Sequence, residues 1–258
     1  MKYTSDKIDI IYYDNNQGGK TMNPELEPYY DKNISCPMCE TSYKTRKIRT
    51  RFSNPHQIDA DFCPHYKNPE TNPLYYLINV CPQCGYSFNE QFSENFSDKA
   101  KATIWDKICK SWKQLDFTKS RTFKQAVDSY KLAIYCAEYK EEKPEVLGGI
   151  CLRLAWLYRG EKDIEQEKRF LQLALKKYDE AFLKSDSLGE NMSESTLLYM
   201  IGELNRRLGN HTEAIRNFSR VINHVDKEKE KKMVRMAREQ WAFMREKKLT
   251  EEEIPEIE

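Results

Sequence analysis

The chain has 258 residues, and its 42 basic and 41 acidic side chains leave a formal charge of +1, so no net field steers it toward nucleic acid or a membrane surface. Charged residues make up 32%, above the globular average of about 25%, which favours helices with solvated faces; 39% hydrophobic residues still suffice for a core. Nine glycines, with no G-x-x-x-x-G-K or G-x-G-x-x-G, argue against a glycine-cradled nucleotide fold and against a chain built mainly of tight-turned strands.

Residues 1–30 are polar and rich in Tyr and Asn, with one short apolar patch at Ile8 to Tyr13. They read as an extension with little fixed structure, and Met22 is a plausible later start. The opening lacks the apolar core of a secretory signal, and no stretch reaches the ~18 apolar residues of a membrane span. A cytosolic protein without membrane contact is therefore expected.

Residues 31–96 break into short pieces: Cys36-Pro37-Met38-Cys39, a run from Tyr43 to Phe52, a loop with Pro55, Pro64, Pro69 and Pro73, an apolar run Leu74 to Val80, and Cys81-Pro82-Gln83-Cys84-Gly85. The run Leu74 to Val80 carries Tyr75, Tyr76, Ile78 and Val80 and is expected as a strand leading into Cys81. Each C-P-x-C places two thiolates on one turn, half of a tetrahedral site, and two such turns complete it. Cys36, Cys39, Cys81 and Cys84 are thus the expected metal ligands, with 41 residues between the inner pair as an insertion. Zinc is the expected ion, and iron accepts the same four thiolates. A stretch this small rarely buries enough to stand alone, so the metal should be a condition for its folding. The rival is thiol–disulfide exchange at a C-P-x-C, but that chemistry needs a helix after the motif, and neither pair has one. Cys63-Pro64-His65 lies between the pairs and is either a plain loop element, a fifth ligand or a catalytic opening. Cys109, Cys136 and Cys151 fit apolar helical stripes.

From Ser97 the apolar spacing turns to three and four. Seven helices are expected, on stripes that begin at Ile104-Trp105-Ile108-Trp112, Phe123, Leu147, Leu171, Leu197, Ala214 and Val234. Pro144 can open a helix, Ser193 and Asn210 can cap one, and Gly160, Gly189 and Gly209 fall where helices should stop. Leu154-Ala155 and Leu171 recur 47 residues later as Ile201-Gly202 and Phe218, in the manner of tetratricopeptide repeats with longer helices. An ordinary helical bundle is the plainer alternative. The fold class expected is α+β: a small zinc-ribbon-like module at 31–96, then an all-α tetratricopeptide-like domain at 97–248, then an acidic tail at 249–258.

Together these residues resemble the bacterial family known as domain of unknown function 2225. The resemblance is carried by the two C-P-x-C motifs, Arg49-Thr50-Arg51-Phe52, Asp59-Ala60-Asp61-Phe62-Cys63-Pro64, Asn72-Pro73-Leu74-Tyr75-Tyr76, Tyr130 to Cys136 and Leu152 to Arg159. It spans about Asn23 to Glu246 and leaves out the first 21 residues. It implies a cysteine metal module followed by tetratricopeptide-like helices, and it implies no activity.

Three functions follow from the residues. The first is an adaptor: the first helix of each pair would line a concave surface, presenting Leu152, Trp156 and Arg159, then Tyr199, Glu203, Arg206 and Arg207, to a protein or peptide partner, above all an acidic one. The second is nucleic-acid binding by the acid-free run Lys44, Arg46, Lys47, Arg49, Arg51, whose plainer role is a charged strand edge. The third is catalysis, for which His56, His65, His211 and His224 offer no recognisable nucleophile or metallohydrolase motif. The chain is read as a non-enzymatic zinc protein that works as an adaptor.

Overall fold

A computed structural model describes residues 26–68, 71–184 and 192–252, with side chains to residue 246. The patch at Ile8 to Tyr13, Met22, Gly189 and most of the acidic tail lie outside the described residues. The front of the chain consists of three two-stranded antiparallel ribbons. Strand β1 (Tyr29–Ser35) pairs with β2 (Ser42–Ile48), β3 (Gln57–Ile58) with β4 (Pro64–His65), and β5 (Asn79–Val80) with β6 (Ser87–Phe88). The turns of the first and third ribbons are the two cysteine motifs.

The run Leu74 to Val80 is not one strand. Asn72 accepts a hydrogen bond from the Leu74 backbone N–H and Pro73 presets the first helical position, so Pro73–Tyr76 forms a 3₁₀ turn and only Asn79–Val80 is extended. The run Tyr43 to Phe52 likewise ends its strand at Ile48 and turns through Thr50–Phe52.

Among the described residues seven α-helices follow: α1 (Asp98–Lys107), α2 (Phe123–Tyr139), α3 (Pro144–Gly160), α4 (Ile164–Leu183), α5 (Glu194–Arg207), α6 (His211–Ile222) and α7 (Lys231–Glu252). Their ends follow the local chemistry. Thr122 and Gln125 close a capping box on α2, Pro144 opens α3, Ser193 caps α5, and Gly209 takes a left-handed φ of +84° just beyond it. Asn210 occupies the capping position of α6, but its amide bonds Asn205 instead of the helix. Helix α1 is shorter than its stripe suggests. Trp105 is 51% exposed, and Trp112 has left the helix to lie over Gly85, whose φ of +74° admits no side chain beneath the ring.

The helices pack in sequential pairs, α3 on α4 and α5 on α6. Small residues permit the close approach. A Cβ on Gly148 would stand 2.7 Å from the Tyr178 ring, and one on Gly202 would stand 2.8 Å from the Phe218 ring. The main core runs through these helices and continues into the front of the chain at Cys63, Leu74, Ile78 and Val80. A second, smaller cluster gathers Cys36, Cys81, Cys84 and Tyr86 with Ile104, Ile108 and Cys136 from the helical part. Residues 31–96 thus complete their core with α1 and α2. Arg121 reinforces the junction: it is 6% exposed and donates to the carbonyls of Phe117, Tyr75 and Ile78, while Tyr130 donates to Leu74 O at 2.9 Å. Among the described residues no helix is long and apolar enough to cross a membrane.

Candidate metal centre

Each cysteine turn closes on itself by backbone hydrogen bonds. Glu40 N–H donates to Cys36 O and Cys36 N–H to Thr41 O; in the same way Gly85 N–H donates to Cys81 O and Cys81 N–H to Tyr86 O. Glu40 and Gly85 adopt left-handed φ values of 60° and 74° at matching places, so the two turns are copies of one conformation. Trp112 Nε1 donates to Pro82 O at 2.9 Å and fixes the second turn to the segment that follows α1.

The two turns face each other. Cys36 Sγ lies 3.7 Å from Cys84 Sγ, Cys39 Sγ lies 3.6 Å from Cys81 Sγ, and all four sulfurs fall within 4.8 Å of one another. A tetrahedral ion with Zn–S bonds of about 2.3 Å requires sulfurs about 3.8 Å apart. The close pairs join one motif to the other, which suits shared coordination better than exchange within a C-P-x-C. The thiols interact strongly. Hydrogen bonds with Cys36 and Cys84 hold Cys81 far below the ordinary thiol range, while Cys36 is pushed up to about 12 by its hydrogen bond with Cys81, in spite of Cys84. One thiolate forms at the expense of its neighbours; four require a cation.

Cys109, expected only as helix packing, adjoins this centre. It packs against the cluster, and its interaction with Cys84 raises the Cys84 thiol and lowers that of Cys109. Cys136 also belongs here, with Ser87 N–H pointing at its sulfur at 3.3 Å. Only Cys151 lies wholly in the helical core. No spacing rule connects Cys109 to Cys84, because their meeting depends on how α1 folds back.

The residues expected to face a partner also converge, and they converge on the chain's own acidic loop. Asp59 N–H donates to Cys63 O and Phe62 N–H to Asp59 O, closing a tight turn between β3 and β4 with Phe62 at φ 65°. Asp61 is completely buried. Its carboxylate accepts from Trp156 Nε1 at 3.0 Å and from Arg159 at 2.7 and 3.1 Å, with Arg207 3.2 Å away. Asp59 Oδ2 accepts from Arg159 at 2.8 Å, and Tyr199 Oη donates to Ala60 O at 2.9 Å. Arg159 also bonds Glu167 at 2.7 Å. Arg206 and Arg207 both clasp Glu203, itself fully buried. Burial alone would raise the Asp61 carboxyl, but the hydrogen bond from Arg159 and the charges of Arg207 and Arg159 outweigh it and hold it below its usual value. The Phe62 ring rests against Tyr199, offsetting a backbone conformation that costs a bulky residue roughly 1–3 kcal/mol.

The basic run is partly turned inward. Lys47 Nζ donates to Tyr76 O at 2.6 Å, and burial lowers its pKa to about 8. Arg46 bonds Ser120 and covers Tyr29; Arg49 bonds Glu27 O and covers Tyr30. Lys44 and Arg51 are exposed. Lys47, Arg49 and Arg51 therefore do not share one open face.

A helical fold joined to a paired-turn centre of four cysteines defines the class of this protein: a cysteine-cluster helical protein with a site fit for a tetrahedral metal. The chain belongs to the family described as "Uncharacterized protein conserved in bacteria (DUF2225)", which matches residues 29–244. It is also similar to an uncharacterized protein of Borreliella burgdorferi, at 26% identity over 163 residues that cover 54% of this chain and 55% of that protein. The chain thus spans about half the length of that curated relative. No solved structure matches.

Proposed function

We propose that this chain is a non-enzymatic, cytosolic zinc protein whose tetratricopeptide-like helix pairs act as an adaptor for acidic protein segments. Zinc closes the four-cysteine centre as a structural ion. Cys36, Cys39, Cys81 and Cys84 leave no coordination position open, so the ion would organise the fold and take no part in a reaction. The binding role rests on one observation: Trp156, Arg159, Tyr199 and Arg207 already grip an Asp-Ala-Asp segment by two carboxylates and a backbone carbonyl. Bidentate guanidinium contacts with a neighbouring indole N–H and a phenol are the means by which proteins recognise acidic peptides. A partner with such a segment would meet these same donors once the loop moves aside.

The test uses a labelled peptide spanning residues 56–65. An Asp59→Ser/Asp61→Ser chain, with its helix content checked by circular dichroism, should bind this peptide, and adding Arg159→Gln should abolish binding. If the folded double variant ignores the peptide, the adaptor role fails. Metal analysis of the purified full chain should find zinc at one equivalent or more; a preparation holding iron in its place would change the ion and keep the centre.

A further inference from the structure

We propose that Asp59, Cys63 and His65 form a second cation site, separate from the four-cysteine centre, that takes Zn²⁺ or a similar borderline divalent transition metal with three protein ligands and an open fourth position. One ligand atom from each residue lies within 4.8 Å of the others. Local geometry produces this grouping. Cys63 and His65 are two residues apart on an extended segment and so share a side, and Asp59 lies across the turn from Cys63 through the Asp59 N–H to Cys63 O bond. One sulfur, one imidazole nitrogen and one carboxylate oxygen make a donor set suited to zinc, and three ligands are the number found where zinc keeps a place for water.

Three further observations point to a ligand. His65 Nε2 is buried and stands 2.9 Å from Asp59 Oδ1, yet makes no hydrogen bond. Two ligand atoms this close, in a geometry that is not a hydrogen bond, are placed as neighbours around an ion would be. The second observation is orientation: Arg159 holds Asp59 by Oδ2, which leaves Oδ1 turned to His65, the outer-shell arrangement that fixes a metal-binding carboxylate. The third is charge. Among the described residues Asp59, Asp61, Glu167 and Glu203 pair with three guanidiniums, those of Arg159, Arg206 and Arg207. A Cys63 thiolate would leave this network two charges negative, and a divalent ion would bring it to neutrality. On binding, the Cys63 S–H bond breaks, its proton passes to solvent, and the sulfur lone pair forms the bond to the metal. The His65 side chain is 37% exposed, so the site lies close to the surface.

The experiment starts from full-length protein dialysed against a mild chelator until one zinc equivalent, the one held by the four cysteines, remains, and titrates it with Co²⁺. Wild type should take one further equivalent, with a thiolate-to-cobalt charge-transfer band and release of one proton. Cys63→Ala and His65→Ala should each lose that equivalent while keeping the zinc already bound. His65 lies partly at the surface, so its variant remains informative if removing the buried Cys63 unfolds the chain. Failure of wild type to take cobalt, or a second equivalent that survives His65→Ala, would overturn the site. Either result, with the remaining zinc lost with Cys36→Ser and kept with His65→Ala, would leave the four-cysteine centre standing.

Discussion

The four-cysteine centre and the acidic loop each join parts of the chain that are distant in sequence, and they do so by different means. The centre is made of two local turns of the same shape, each complete in its own backbone hydrogen bonds, and it needs only to bring the turns together. The loop has no such autonomy. Its carboxylates are satisfied by Trp156, Arg159 and Arg207, which lie 95 to 148 residues further along the chain. A site whose ligands travel with their own turns can be recognised from a spacing; a site whose partners arrive from two separate helices is defined only by the packing of those helices.

Substitutions can break or sharpen this contrast. The largest effect is expected at the centre. Cys36→Ser or Cys81→Ser should lose the structural ion, whose binding is worth roughly 10–16 kcal/mol in small zinc peptides. Because Ile104, Ile108 and Cys136 share that cluster, the damage should reach α1 as well as the ribbons. Hydrogen exchange should show α1 and β5–β6 losing protection together while α5 and α6 keep theirs. Protection that persisted in α1 would mean that the front folds as a separate domain after all.

Next comes Asp61→Ala, which leaves Arg159 without its main partner in a buried setting and should cost about 3–5 kcal/mol in urea unfolding without loss of the structural metal. The acid response should agree. The folded Asp61 carboxyl lies below its unfolded value, so its contribution is complete above the unfolded pKa near 3.8 and disappears as pH falls through the folded one. Below about pH 4, then, wild type should lose stability more steeply than Asp61→Asn. Parallel acid limbs would remove the buried ion pair from the account.

Gly202→Ala probes the platform beneath the loop. The added methyl would press on Phe218, and overpacking of this kind costs about 1–3 kcal/mol. Since Gly202 adjoins Glu203 on α5, peptide-free loop docking should weaken too, read as faster exchange of the Phe62 amide. Gly160→Ala, with nothing within 4 Å of the new Cβ, should be neutral or slightly stabilising and serves as the control. The smallest loss is expected for Trp112→Phe, which keeps a ring over Gly85 but loses the bond to Pro82 O, at a cost of about 1 kcal/mol with the metal retained.

Much of this fold is legible in the sequence. The two C-P-x-C motifs, the α+β order of elements and seven helices with their caps at Pro144 and Ser193 follow from spacing and local chemistry. The failures are local conflicts decided by neighbours. Tyr75 and Tyr76 have strand propensity, yet Asn72-Pro73 wins with a 3₁₀ turn, after which Tyr76 packs against Tyr29 and Arg121. Trp105 and Trp112 fit one helical stripe on paper, but Gly85 offers the second ring a flat seat only off the helix. The residues assigned to a partner surface do lie together, because helix periodicity puts Trp156 with Arg159 and Tyr199 with Arg206 and Arg207. What they touch lies outside any periodicity. Cys109 and the grouping of Asp59 with His65 stay hidden for the same reason.

The loop held by Trp156, Arg159, Tyr199 and Arg207 belongs to the same chain, and that sets the terms of any competition. A tethered occupant acts at a local concentration on the order of millimolar, so a free peptide making the same contacts would be outcompeted at the micromolar levels of an ordinary pull-down. Any binding of such a peptide is therefore to be sought with the loop turned out by removing Asp59 and Asp61. Screens run on the intact chain would then mainly capture partners with contacts beyond the ones the loop already makes.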